Sequence, residues 1–194
     1  RQRWLERFGF GAPAQTGGLW VHAVSVGETL AAVPLIDAWR KAHPGEPVLV
    51  TTMTPTGSAR VRALWGNDVN HCYAPYDLPW AWRLFYRKVR PQVLVIMETE
   101  LWPNMLAAAK SRGIPAILAN ARLSERSARG YGRAAWLSRP MLQGLSCVAA
   151  QDEAAAARFL ALGVAAERVQ VTGSIKFDFS VPDGLLEQAT HLHQ

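Results

Sequence analysis

The feature that most restricts the fold of this chain is a regular alternation of short apolar runs with longer segments of helical periodicity. Leu19-Trp-Val-His-Ala-Val24, Val48-Leu-Val-Thr-Thr52, Val93-Leu-Val-Ile-Met97, residues 116–120, residues 146–150 and Val169-Gln-Val-Thr172 are four to six residues long. They show little in/out alternation, and a strand apolar on both faces must be covered on both, as parallel strands joined by helical crossovers are. A weaker run at residues 71–74 makes about seven strands. Between them the spacing predicts helices over 28–43, 55–65, 79–90, 103–112, 124–142 (interrupted at Gly130 or Pro140) and 152–162. Thr54-Pro55 supplies an N-cap and a proline at the first helical position, while Pro44-Gly45, Pro91, Gly113 and Gly163 supply stops. The order predicts an α/β fold, a Rossmann-like doubly wound parallel sheet with helices on both faces. Residues 1–178 are expected to form one domain, and 179–194, with Pro182-Asp-Gly, the start of an interdomain region.

At 49% hydrophobic and 19% charged residues, a chain of 194 residues buries a sizeable core and does not read as disordered. Cys72 and Cys147 stand in separate apolar stretches outside any metal-ligand spacing and read as core residues of a reduced, cytoplasmic protein. The sequence holds no run of ~18 apolar residues, and its charged amphipathic start, Arg1-Gln-Arg-Trp-Leu-Glu-Arg7, is unlike a signal peptide. Lacking an initiator Met and opening mid-pattern, it reads as a fragment. The net charge of +6 favours anionic partners without choosing among nucleic acid, phosphorylated ligands and an acidic membrane surface.

In doubly wound folds ligands sit at the carboxyl ends of the strands, so the strand-to-helix turns are where chemistry is sought. The first is Ser25-Val-Gly-Glu28: Gly27 is expected to turn the chain sharply, and Glu28 falls in the first helical turn. There it either complements the helix dipole, for roughly 0.3–1 kcal/mol, or stands as a general base in a desolvating pocket. After the most apolar strand comes Glu98-Thr-Glu-Leu-Trp-Pro-Asn104, whose carboxylates project to one side if the chain stays extended. One of them binding a hydroxyl-rich ligand and plain acidic helix-start residues are both open readings. The hydroxyl-rich turn Thr52-Met-Thr-Pro-Thr-Gly-Ser58 offers an oxyanion site or simple capping by Thr54, and it is no Walker motif; G-x-G-x-x-G is missing too.

Arg122, Arg126, Arg129 and Arg133 line one face if a helix begins at once, suiting bound phosphates or merely a solvated face. Trp80-Ala-Trp-Arg-Leu-Phe-Tyr-Arg-Lys-Val-Arg90 interleaves aromatics with cations, as core packing or a membrane-interface helix would. None of the five histidines (22, 43, 71, 191, 193) has a second ligand nearby in sequence, so no metal is expected.

Several collinear motifs go further. Leu19-Trp-Val-His-Ala-Val-Ser-Val-Gly-Glu28, Glu98-Thr-Glu-Leu-Trp-Pro-Asn104, Asn120-Ala-Arg-Leu-Ser124 and Gly173-Ser-Ile-Lys-Phe-Asp178 resemble the hallmark segments of the bacterial Kdo transferases. Kdo is 3-deoxy-D-manno-octulosonic acid. Residues 50–57 and 73–79 match in kind and order, so the resemblance spans Arg1 to Asp178. It implies the N-terminal, acceptor-binding half of a GT-B glycosyltransferase, inverting and metal-independent, with no cofactor. The donor is CMP-Kdo, held mainly by a C-terminal domain absent here, and the acceptor is the lipid A precursor (lipid IVA). Glu28 is then the general base, and Glu98 and Glu100 position the acceptor. Ser25, Gly27 and Thr54 are candidate acceptor contacts, and Arg122 and Arg126 are placed at its phosphates on electrostatic grounds alone. The implied location is the cytoplasmic face of the inner membrane, peripheral or anchored by a segment missing here, and the fragment by itself is expected to be inactive. Two rival readings are a non-catalytic module binding anionic lipid and a nucleic-acid-binding domain, the latter without any recognised reader motif.

Overall fold

Leu19, Trp20, Val21 and His22 are all buried, so the first apolar run is covered on both faces, as expected of a central parallel strand. A computed structural model describes residues 3–175. After a 3-10 turn at Trp4–Phe8 come β1 (Gln15–Thr16), β2 (Leu19–His22), α1 (Val26–Ala31), α2 (Val33–Ala42), β3 (Val48–Thr52), α3 (Pro55–Trp65) and β4 (Asn70–Tyr73). The chain continues through α4 (Pro79–Lys88), β5 (Val89–Arg90), β6 (Val93–Met97), α5 (Pro103–Lys110) and β7 (Ala116–Ala121). Last are α6 (Glu125–Arg133), α7 (Ala135–Leu142), β8 (Cys147–Ala150), α8 (Glu153–Ala161) and β9 (Val169–Val171).

Seven strands form one sheet in the order β4-β3-β2-β6-β7-β8-β9, and every neighbouring pair is parallel. β2 lies in register between β3 and β6, with Trp20 level with Leu49 and Leu94, and His22 level with Thr51 and Ile96. The period of two then divides the core. Trp20, Leu49, Leu94 and Ile96 face one layer with Trp82, Phe85, Met105, Leu142 and Phe159 from the helices. Leu19, Val21, Val50, Val95 and Met97 face the other, with Ala31, Ile36, Val61 and Trp65. The doubly wound expectation is met. A small parallel pair, β1 with β5, lies outside it.

Two expected helices are each divided. The segment 28–43 breaks at Ala32 into α1 and α2, because Pro34 in the first turn of α2 has no N–H and its ring excludes the carbonyl four residues back. The segment 124–142 breaks at Ala134 (φ −99°, ψ 38°), neither at Gly130 nor at Pro140. There the Ser138 hydroxyl donates to the Tyr131 carbonyl at 2.8 Å, satisfying a group at the break. The expected boundary between 178 and 179, the Pro182 loop, His191 and His193 lie outside the described residues.

The amphipathic start is folded onto the edge strand β4. The Glu6 carboxylate accepts from the Tyr73 N–H at 2.7 Å, and the Arg3 guanidinium donates to the His71 carbonyl at 2.9 Å. Backbone groups of an edge strand are thereby covered.

Gly18 decides where β2 begins. Its φ is +69°, and a Cβ there would collide with the Pro47 carbonyl at the entry to β3. Gly45 has a similar φ of +84° with open space around it. Gly18→Ala should therefore cost on the order of 2–3 kcal/mol more than Gly45→Ala, which carries the backbone strain alone. Urea midpoints of the two variants check this; equal losses would remove the steric argument.

Candidate functional site

The sheet order reverses between β2 and β6. From β2 the chain winds outward to β3 and β4, and from β6 it winds the other way to β7, β8 and β9. The crevice at such a switch point, outside the carboxyl ends of the strands, is where this architecture binds ligands. Ser25 to Glu28 follow β2 and Glu98 to Trp102 follow β6, so the two acidic turns flank the crevice.

Ser25 is extended (φ −117°, ψ 173°) and caps α1, accepting weakly from the Glu28 N–H at 3.4 Å. The Glu28 side chain folds back. Its Oε1 accepts from the Ser25 hydroxyl at 2.8 Å and its Oε2 from the Val24 N–H at 2.8 Å. This is a variant of the capping box, so the helix-start role of Glu28 is real. It is also 7% exposed, an unusual burial for a carboxylate. Burial raises its pKa above the ordinary 4.5, opposed by the Ser25 and Val24 hydrogen bonds and reinforced by the charges of Glu100 and Glu98. The net result is a carboxylate more basic than a surface glutamate, fixed in position, with lone pairs left to take a proton.

Gly27 is exposed inside α1 and has no left-handed φ, so the sharp turn expected of it is made by extended Ser25 instead. A Cβ at Gly27 would lie 3.9 Å from the Ser25 Oγ, an ordinary contact.

The second turn departs from expectation. Glu98 has φ +55°, so the chain turns at once and the Glu98–Glu100 pair is not carried on extended backbone. The strand-end N–H of Glu98 still donates to the Ala119 carbonyl at 2.9 Å. Trp102 Nε1 donates to Glu100 Oε2 at 3.1 Å, holding that carboxylate. Beneath the turn, Asp77 from the β4–α4 loop clasps the start of α5. Its Oδ1 accepts from Trp82 Nε1 at 2.8 Å and the Met105 N–H at 3.0 Å, and its Oδ2 from the Asn104 N–H at 3.1 Å. The N-cap residue Trp102 makes no side-chain cap, and Asp77 takes that role from 27 residues away.

Asn120, next to last in β7, is a third group at a strand end. It is buried with φ +52°, its Oδ1 accepts from the Ile175 N–H at 3.2 Å, and its Nδ2 has no partner among the described residues. Sequence reasoning gave Asp77 and Asn120 no role. Asn tolerates the left-handed region, which was a usable signal; Asp77 offered none beyond its turn setting.

The other expected contacts scatter. Thr54 caps α3, its Oγ1 accepting from the Gly57 N–H at 3.0 Å. Arg122 precedes the helix, which starts after Ser124 as N-cap, so the four arginines do not form one helical stripe. Arg122, Arg126, Arg129 and Arg133 are exposed, and Arg129 pairs with Glu125 at 3.5 Å. On α4, Trp82, Phe85 and Tyr86 are core, while Trp80 is 46% exposed and stacks on Phe8. His71 is not isolated: it bonds Arg3 and Thr52 at 3.0 Å each. Among the described residues no three potential metal ligands cluster.

Comparison with known proteins bears on what this crevice serves. A family model described as 3-deoxy-D-manno-octulosonic-acid transferase (kdotransferase) matches residues 2–179. The 3-deoxy-D-manno-octulosonic acid transferase of Haemophilus influenzae is 42% identical over 195 residues, covering 99% of this chain and 46% of that protein. That of Bordetella pertussis is 41% identical over 186 residues, covering 93% and 42%. The chain thus spans somewhat under half the length of these curated relatives. Among solved structures, UDP-GlcNAc 2-epimerase from Neisseria meningitidis superposes with a TM-score of 0.61 over 90% of this chain and 54% of that one. At 16% identity that likeness shows the fold alone.

Burial holds two histidines of the sheet neutral. The pKa of His22 is lowered from 6.5 to about 3 by desolvation; that of His71 falls likewise to about 3, through desolvation and then Arg3 and Arg62. Between these values the unfolded chain binds protons that the folded one refuses, so stability is complete above pH 6.5 and is lost as pH falls. The slope is at most about 1.4 kcal/mol per pH unit for each histidine, less for partly exposed His71, and Glu28 opposes it. The urea midpoint should be lower at about pH 5 than at about pH 7.5; a flat or inverted dependence would contradict neutral burial.

Proposed function

The chain belongs to the Kdo transferase family, and from that premise we propose that it forms the acceptor-binding half of a GT-B enzyme transferring Kdo from CMP-Kdo to the lipid A precursor, with Glu28 as general base. The observation that carries this reading is the Glu28 carboxylate: buried, raised in pKa, and set at the switch point beside two further acidic residues. In the proposed reaction an acceptor hydroxyl gives its proton to Glu28 while its oxygen bonds to the anomeric carbon of Kdo. The bond from that carbon to the CMP phosphate oxygen breaks, CMP leaves with the electron pair, and attack from the opposite face inverts the centre. Ser25 and the Val24 N–H keep the base oriented. Glu98 and Glu100 are proposed to receive acceptor hydroxyls, and Arg122 and Arg126, exposed beyond β7, to meet its phosphates. The donor is assigned mainly to the part of the relatives' length that lies beyond this chain.

A lipid acceptor is met at a membrane surface, and the proposed location is the cytoplasmic face of the inner membrane. Support comes from exposed Trp4, Leu5, Phe10 and Trp80 next to the exposed cations Arg83, Arg87 and Lys88. Among the described residues no helix is long and apolar enough to cross a membrane. The same face would serve a lipid-binding module without catalysis, so the deciding experiment must read chemistry.

In the intact protein, Glu28→Gln should lower Kdo transfer by roughly 100-fold or more while acceptor affinity changes little, the pattern of a lost general base. Transfer at the wild-type rate would leave Glu28 as a helix cap. Lipid binding without transfer by wild type would favour the non-catalytic module.

A further inference from the structure

His22 closes β2 beneath the crevice and is fully buried. Trp20 Nε1, which can only donate, bonds Thr51 Oγ1 at 2.9 Å, so that oxygen is an acceptor there. Thr51 Oγ1 also lies within hydrogen-bond distance of His22 Nδ1, at 2.9 Å, and holds that side of the ring. Nδ1 is thereby partnered. Nε2 has no hydrogen-bond partner among the described residues.

What covers the ring instead is Trp102. The two rings meet edge to face, with centroids 4.7 Å apart and planes at 75°, a contact in which an N–H or C–H edge meets π density. Trp82 braces the indole from the side, at 6.2 Å. The Trp102 Nε1–H is then delivered to Glu100 Oε2 at 3.1 Å. A continuous line of contacts runs from the sheet core to the crevice: Trp20, Thr51, His22, Trp102, Glu100.

We propose that His22 and Trp102 are positioning residues, the buried imidazole seating the indole so that its N–H holds the Glu100 carboxylate at the rim of the crevice. Neither needs to touch substrate. Glu100 faces Glu28 from the β6–α5 turn together with Glu98, and Tyr131 of α6 faces Glu100. Fixing Glu100 therefore fixes a charge that acts on the base, as well as a group placed for acceptor hydroxyls. A protonated His22 would carry an uncompensated charge under this seat, which is why the ring is embedded away from water.

The activity arm of the test rests on the function proposed above and uses the intact enzyme. Trp102→Phe keeps a ring against His22 and Trp82 and removes only the N–H. It should lower kcat for Kdo transfer about tenfold, the scale of one hydrogen bond to a charged group, with the donor KM within about twofold. On a Glu100→Gln background the same change should cause no further loss, because its effect passes through the Glu100 carboxylate. An equal loss on both backgrounds, or none on either, overturns the proposal. A second arm reads no activity: carbon NMR of the intact protein should show a shifted Glu100 carboxyl carbon in Trp102→Phe, and nitrogen NMR a His22 ring that stays neutral from about pH 8 to about pH 5. A protonated ring or an unmoved carboxyl resonance contradicts it. Should wild type transfer no Kdo, the proposed function falls, and this arm alone decides the positioning role.

Discussion

The in-register pairing of β2 with β3 on one side and β6 on the other is the constraint on which the rest of the structure depends. It sets the carboxyl ends of β2 and β6 side by side while the chain winds away in opposite directions, which opens a crevice between the turns that follow. The pairing is possible because both faces of β2 are apolar and because Gly18 lets its first residue approach Pro47. Parallel strands cannot stand alone, so the helices on both faces are part of the same requirement rather than additions to it.

From this arrangement the electrostatics of the crevice follow. Three carboxylates gathered on one edge repel each other, and a buried one loses hydration; each effect favours the protonated form. At Glu28 desolvation outweighs the hydrogen bonds from Ser25 and Val24 that favour the charged form. The capping geometry and the basic character are therefore one arrangement. The contacts that orient the carboxylate are also those that bury it. Asp77 does comparable work across the crevice, anchoring the start of α5 and with it the turn that carries Glu98 and Glu100.

Much of this was legible in the sequence, and the failures have physical causes. Continuous apolar runs gave the strands of the main sheet because burial on both faces leaves that signature in composition. Thr54-Pro55 fixed the start of α3 because a hydroxyl cap and a preset φ act locally. Pro34 should have divided the first helix, since the missing N–H is as local as a cap. Ser124 should likewise have excluded Arg122 from the helical stripe. The break at Ala134, the left-handed turn at Glu98 and the clasp of Asp77 on Asn104 were out of reach. Each is imposed by partners distant in sequence, and alanine, glutamate and aspartate carry no mark of them. The aromatics of α4 show the same limit: Trp82, Phe85 and Tyr86 are core and Trp80 is surface, a division made by packing and not by residue type.

The central claim is that the fold makes Glu28 a buried base. Its most direct measurement is the titration of the Glu28 side-chain carboxyl by carbon NMR in the wild-type protein. The account predicts a midpoint above the ordinary 4.5. A Glu28 midpoint at or below 4.5 would mean that its hydrogen bonds prevail over burial, and the residue would then be a helix cap without the basicity this mechanism requires.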